Sequence, residues 1–229
     1  MKTLKRGIHI FAIFMCLLII VPGVMFAQDV IAYVGELGGS VTIIKNNPGE
    51  EEVEATLGML LVGGDTVKTG EASYSAVIFQ DDGSRVKLGE NSQLTLNAER
   101  DRKKLKKRLF LGSGGKIWAK ITKKRGTDFQ VKTPTSVASV KGTTFSMEEA
   151  SDGTYVWVYA DSVFLRNGDM EKEVQTGEYG FASEGDVETG PISENPGPVE
   201  PGPHEMIIYF VDQTTGRQKE LRIEYTKPD

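Results

Sequence analysis

One cysteine and two histidines, Cys16, His9 and His204, are all that 229 residues offer for thiol or imidazole chemistry. A single cysteine excludes an intramolecular disulfide and any cysteine-based zinc site. A Ser-His-Asp or Cys-His triad needs its imidazole or thiol held by packed structure. His9 and Cys16 lie in an N-terminal apolar segment, and His204 stands at the edge of a Pro/Gly-rich stretch. Neither a triad, a histidine metal site nor any cofactor is therefore expected. Sustained helical periodicity is also missing, and no segment beyond the N-terminus is apolar enough to cross a bilayer, which takes ~20 residues. What is present is ordinary globular composition, 39% hydrophobic and 26% charged, enough to bury a core.

The N-terminus reads as a signal peptide, residues 1–27. Lys2, Lys5 and Arg6 precede the apolar run Ile10–Val21, then Pro22-Gly23 breaks the chain and Ala27 offers a small residue for cleavage. Cys16 follows Ile13-Phe14-Met15, not the small residues of a lipoprotein cleavage box. The competing reading is an uncleaved anchor spanning Gly7–Ala27. Cleavage removes three basic residues and no acid, so the net charge moves from −5 to −8 and the remaining 202 residues hold no cysteine. Such a chain suits an oxidising, extracytoplasmic compartment, periplasmic or extracellular.

After residue 27 the pattern is all-β. Short alternating runs recur at Val41–Ile44, Ala76–Phe79, Arg85–Leu88, Gln93–Leu96, Lys116–Ile121, Phe129–Lys132 and Tyr155–Tyr159, rich in β-branched and aromatic residues. Asp82-Gly83 and Asn167-Gly168 mark hairpins, because Gly tolerates positive φ. Glu99–Arg108 could form one charged helical turn, but lacks an apolar stripe. The expected organisation is a β domain over 28–188, a solenoid, sandwich or barrel-like arrangement, then a linker and a β-hairpin. The linker, 189–203, holds five of the nine prolines and should be extended and semi-rigid. The hairpin, 204–229, is too small to be stable alone and is expected to pair with a sheet edge.

The punctuation of the β domain resembles the FecR domain family. Val34-Gly35 and Gly39-Ser40-Val41 open it, and Gly58 follows. Gly64-Asp65-Thr66-Val67-Lys68-Thr69-Gly70 resembles the family's Gly-Asp-x-Ile-x-Thr-Gly segment. Ala76–Ser84, ending Asp82-Gly83-Ser84, resembles its strand before Asp-Gly-Ser, and Asn91-Ser92 its Asn-Ser. Phe129–Thr133-Pro134 and Val140-Lys141-Gly142-Thr143-Thr144-Phe145 carry the most specific part. The likeness covers about residues 30–182. It implies a non-enzymatic extracytoplasmic module. Family members include periplasmic sensors that report iron-siderophore uptake to a cytoplasmic sigma factor, and exported proteins of undefined role. Only six residues precede the apolar stretch here, and Ala160-Asp161 replaces the usual Glu-Gly, so sigma-factor signalling is not expected. Read as residues, the motif positions are turn formers, carboxylate caps and a core aromatic rather than ligand contacts.

Three further patterns bear on function. Arg100, Arg102, Lys103, Lys104, Lys106, Lys107 and Arg108 put seven bases in nine positions, whereas 148–205 holds 14 acids and two bases. The run could bind an anionic surface polymer, a lipid headgroup or an acidic partner. Its plainer reading is a solvated hairpin whose charges blunt a sheet edge. Tyr155-Val156-Trp157-Val158-Tyr159 puts three aromatics on one strand face, either a sugar-stacking ladder or a strand buried on both sides. Asp81-Asp82-Gly83-Ser84 and Gly112–Lys116 lack full calcium-loop and phosphate-loop patterns and read as turns.

These observations converge on an exported, non-enzymatic binding or assembly module at the cell envelope. It would engage a protein or surface polymer and no nucleic acid, with self-association through the C-terminal hairpin a further expectation. The competing classes are a carbohydrate-active enzyme using two carboxylates and a structural component of an extracellular assembly. Export has a direct test. N-terminal peptide mass spectrometry should find the mature chain starting near Gln28 in an extracytoplasmic fraction. An intact 1–27 segment pelleting with the inner membrane would mean an anchor.

Overall fold

The computed structural model describes residues 29–47, 49, 51–101, 104–124, 128–198, 200–202, 204–211 and 218–225. The segment 1–27 lies outside them. No helix among the described residues is long and apolar enough to cross a membrane.

The chain alternates between two sheets every one or two strands. β1 (Val30–Gly38) belongs to the first sheet, and β2 (Val41–Ile44) and β3 (Glu52–Glu54) to the second. β4 (Leu60–Val62) returns to the first and β5 (Thr66–Thr69) to the second. β6 (Tyr74–Phe79) and β7 (Arg85–Leu88) form a hairpin in the first, and β8 (Gln93–Asp101) and β9 (Lys104–Leu111) one in the second. After β10 (Lys116–Lys120) in the first come β11 (Asp128–Lys132) and β12 (Val137–Val140) in the second. β13 (Thr144–Ala150) and β14 (Gly153–Ala160), then β17 (Glu178–Ser183) and β18 (Asp186–Pro191), extend the first, with β15 (Ser162–Asn167) and β16 (Met170–Gln175) between them in the second.

The first sheet therefore runs β18-β17-β14-β13-β10-β7-β6-β1-β4 and the second β16-β15-β12-β11-β9-β8-β5-β2-β3. Both follow the chain along one axis, as a flattened sandwich that does not close into a barrel. All pairings are antiparallel but one, β9 with β11. That exception follows from counting: the excursion between them is the single strand β10, so the chain returns in the direction it left.

Strand parity builds the core. Val77 and Phe79, Val86 and Leu88, Ile117 and Ala119, and Phe145 and Met147 point inward from the first sheet and are buried. Val67, Leu94 and Leu96, Leu109 and Leu111, and Phe129 and Val131 meet them from the second. Phe79 packs edge-on against Phe129 across the two sheets, ring centroids 5.9 Å apart. Asp82-Gly83 and Asn167-Gly168 make the expected hairpin turns, with φ of +70° at Gly83 and +58° at Gly168. Glu99–Arg108 is no helical turn: it runs into the β8–β9 hairpin. Gly112–Lys116 is a turn, but one that carries the chain from one sheet to the other.

The C-terminal strands β19 (His204–Val211) and β20 (Gln218–Tyr225) pair only with each other. Among the described residues the expected pairing of this hairpin with a sheet edge is absent. β18 extends to Pro191, so the first three residues of the 189–203 segment complete an edge strand, where Gly190 pairs with Tyr179.

The sheets approach closely where Gly180 of β17 faces the second sheet. A Cβ there would lie 2.6 Å from Val174 Cγ2 and 3.0 Å from Leu165 Cδ2. Gly180→Val should overpack this layer and cost about 1–3 kcal/mol in urea unfolding. An unchanged midpoint would show that the sheets part there freely.

Candidate interaction surfaces

Each crossing between sheets leaves backbone polar groups at the rim, and the motif side chains satisfy them. Asp65, fully buried, accepts from the Asn46 amide at 2.9 Å, the Val62 amide at 3.1 Å and Lys45 Nζ at 3.1 Å. It ties the β2–β3 turn to the β4–β5 crossing, and the Gly64 amide next to it donates to Leu96 O. Thr69 Oγ1 donates to Gly89 O at 2.5 Å and accepts from the Ser92 amide at 3.0 Å. Gly70 donates to Ser40 O and accepts from the Asn91 amide. Asp82 accepts from the Ser84 amide at 2.9 Å, and Ser84 Oγ from the Thr122 amide at 3.1 Å. Thr143 donates to Ser162 O at 2.9 Å, and Phe145 is buried in the core. Gly142 has φ +105°, and a Cβ there would lie 2.6 Å from Lys123 Cβ, so only glycine fits.

Thr133-Pro134 closes β11 through a second kind of staple. The Thr133 and Thr154 hydroxyls, from opposite sheets, meet at 2.7 Å. Thr154 and Thr135 donate to Glu149, which is itself buried; the Thr135 bonds measure 3.2 and 3.0 Å. Glu149 was not singled out from the sequence. Its signal was there, because it shares strand parity with the core residues Phe145 and Met147.

The basic run divides. Lys107 was expected at the surface, and the structure corrects this: it is fully buried. On β9 it shares parity with Leu105, Leu109 and Leu111, so it must point into the core. Lys107 Nζ lies 2.5 Å from Asp82 Oδ2 in hydrogen-bond geometry. It is also 2.8 Å from Asp81 Oδ1, an ionic approach without hydrogen-bond alignment. The Phe79 ring centroid lies 4.8 Å from it, a cation–π contact. Arg108 is exposed on the outer face of the second sheet, where it donates to Gln130 at 3.4 Å, and Lys106 is half-buried. Arg100 and Lys104 lie on β8 and β9, while Arg102 and Lys103 fall outside the described residues.

The aromatic ladder faces outward from the first sheet, with Val156 and Val158 in the core. Tyr155 stacks on Trp157 at 5.7 Å and on Phe181 at 4.4 Å between centroids. Trp157 is nonetheless buried, 4% exposed. Its cover is the Pro/Gly-rich segment, which turns at residues 192–195 and lies across the sheet. Trp157 Nε1 donates to Asn195 O at 2.8 Å, and Gly197 sits against Trp157 and Tyr159. Further along, Lys87 is clamped between Glu200 at 2.9 Å and Glu36 at 3.0 Å. Burial opposes the Lys87 charge, but hydrogen bonds and attraction from the two carboxylates outweigh it and raise its pKa.

Residues 65–164 match the family model described as FecR protein. Two crystal structures of a candidate anti-sigma factor from Parabacteroides distasonis are similar to the chain at 14% and 13% identity, with TM-scores of 0.49 and 0.48. Each comparison covers 55% of this chain and 59% of that one, so the chain spans a little over half the length of those proteins. No curated protein matches.

The buried ion cluster has a defined pH signature. Burial opposes the Asp82 charge, yet the Lys107 bond and the Ser84 amide prevail and lower its pKa below the ordinary 3.8. Its contribution is therefore complete above about pH 4 and is lost as pH falls through the folded value. Lys107→Met should cost about 3–5 kcal/mol in urea unfolding at pH 7, because it strands buried carboxylates. The stability gap between wild type and Asp82→Asn should shrink below pH 4. A Lys107→Met protein as stable as wild type would mean that the cluster contributes nothing.

Proposed function

We propose, on the match of residues 65–164 to the FecR family model, that the chain is an exported, non-enzymatic binding or assembly module of the cell envelope. One observation carries the reading. The motif side chains that define the resemblance are spent on structural bonds: Asp65, Thr69, Asp82, Thr133 and Thr143 tie the two sheets together, and Ser84 ties the ends of neighbouring strands in the first sheet. What remains for function is the surface of a rigid, elongated sandwich, which suits contact with a protein or an extended polymer. Export rests on the Lys2/Lys5/Arg6, apolar-run and Ala27 order, and it makes envelope components the natural partners. The outer face of the second sheet adds exposed Arg108, Lys132 and Arg166, the part of the basic character that suits an anionic polymer.

Crosslinking on intact cells, followed by capture of the full chain and mass spectrometry, should return an extracytoplasmic partner or cell-surface polymer. Recovery of cytoplasmic proteins alone would sink the assignment.

A further inference from the structure

The outer face of the first sheet carries a cross-strand row that combines buried Lys87 with buried Trp157. Following the strand register, it reads Glu36, Ala76, Lys87, Trp118, Ser146, Trp157, Tyr179 and Gly190. A polar anchor stands at each end of its central part. Trp157 offers its indole N–H and takes the Asn195 carbonyl. Lys87, only 8% exposed, already has Glu36 and takes a second acid, Glu200.

The spacing fits an extended chain. Trp157 and Lys87 are three inter-strand steps apart, about 14 Å at ~4.8 Å per step. Asn195 and Glu200 are five residues apart, about 15 Å at the ~3.1 Å rise of a polyproline-type chain. Pro196 and Pro198 lie between them, and Pro201 follows, placed so that a Cβ on Gly89 would be 3.9 Å from its Cγ. An aromatic platform whose indole donates to the carbonyl just before a proline has the chemistry by which grooves recognise proline-rich peptides. Proline-rich segments bind at low entropic cost because they are extended before binding.

We propose that this row is a recognition track for extended proline-rich segments of a partner protein, and that residues 195–198 and 200–202 are its resident occupant. The proposal rests on the binding-module reading and specifies its partner chemistry: a Pro-Gly-Pro core with an acid four residues after the first proline. Charge complementarity selects that acid, because Lys87 is buried against it. Tethering holds the resident segment at an effective concentration on the order of millimolar. A partner segment must therefore displace it.

The test uses the full mature chain and a fluorescein-labelled peptide with the sequence of residues 192–202. Gly197→Ala combined with Glu200→Lys should evict the resident segment. The new methyl would lie 2.8 Å from Trp157 Cγ, and the reversed charge would face Lys87. By fluorescence anisotropy, the peptide should bind this variant at least tenfold more tightly than wild type. Replacing the three prolines of the peptide by Ala should abolish the gain. Trp157→Phe in the evicted background, which keeps a ring but removes the N–H, should weaken binding several-fold. Thermal melting checks that the variants fold, and acrylamide quenching of tryptophan checks that Trp157 is uncovered. Equal binding to wild type and variant, or none to either, would overturn the proposal and make the segment a fixed cover, while leaving the envelope-crosslinking outcome untouched. A wild-type mass that doubles with concentration and falls back on adding peptide would overturn the partner assignment in favour of exchange between copies.

Discussion

The structure depends on how a chain that changes sheet every one or two strands satisfies its backbone at each crossing. Strands bond laterally, but the connecting residues at the rim lose their ladder partners. Unpaired and buried, each such group would cost about 1–3 kcal/mol. The solution here is a set of short buried polar side chains, each taking or giving bonds across a crossing. Asp65 serves two turns at once, the Thr69 hydroxyl both accepts and donates, and Thr133 meets Thr154 from the opposite sheet. Asp, Ser and Thr suit this work because their polar atoms lie one or two bonds from Cβ, close to the backbone they serve.

The same constraint explains the fully buried Lys107. The β6–β7 hairpin ends in Asp81-Asp82, and its turn folds over the sandwich rim. Asp82 caps that turn through the Ser84 amide, which brings a carboxylate inside. Lys107 arrives from β9 of the other sheet and neutralises it, with the face of Phe79 as a third partner. A pair of this sort is weak as a source of net stability but costly to break. It pins the turn of one sheet to a strand of the other, and so fixes how the two sheets are offset.

On the outside, the constraint runs the other way. A sheet face that is not packed against another layer is normally polar, yet the first sheet exposes aromatics at its C-terminal half. The chain covers them with its own Pro/Gly-rich segment, which bonds to the sheet through side-chain anchors and not through a strand ladder. Proline makes this possible: it cannot extend a sheet, so the segment crosses the strands at an angle instead of adding to an edge. The result joins a rigid sandwich to a separate two-stranded sheet by a docked, not free, connection.

Strands and turns were legible in the sequence because they are local: alternation gives β2 and β7 to the residue, and Asp82-Gly83 and Asn167-Gly168 gave their hairpins. The inward Lys107 and Glu149 were also legible in principle, since a side chain two residues from a core position on a strand must share its face. A block of seven bases concealed this by suggesting a surface. Beyond that reach lay which strands share a sheet, the parallel β9–β11 pair, and the cover over Trp157. Composition marked residues 189–203 as extended, but not as docked. Trp157 and Asn195 stand 38 positions apart, and no pattern along a chain encodes such a meeting. The sequence by itself determined the β character, the turn chemistry and the parity of each strand, all set by neighbours within a few bonds. Tertiary structure decided which polar groups would meet and which face would be covered, because those depend on contacts that exist only once both sheets have formed.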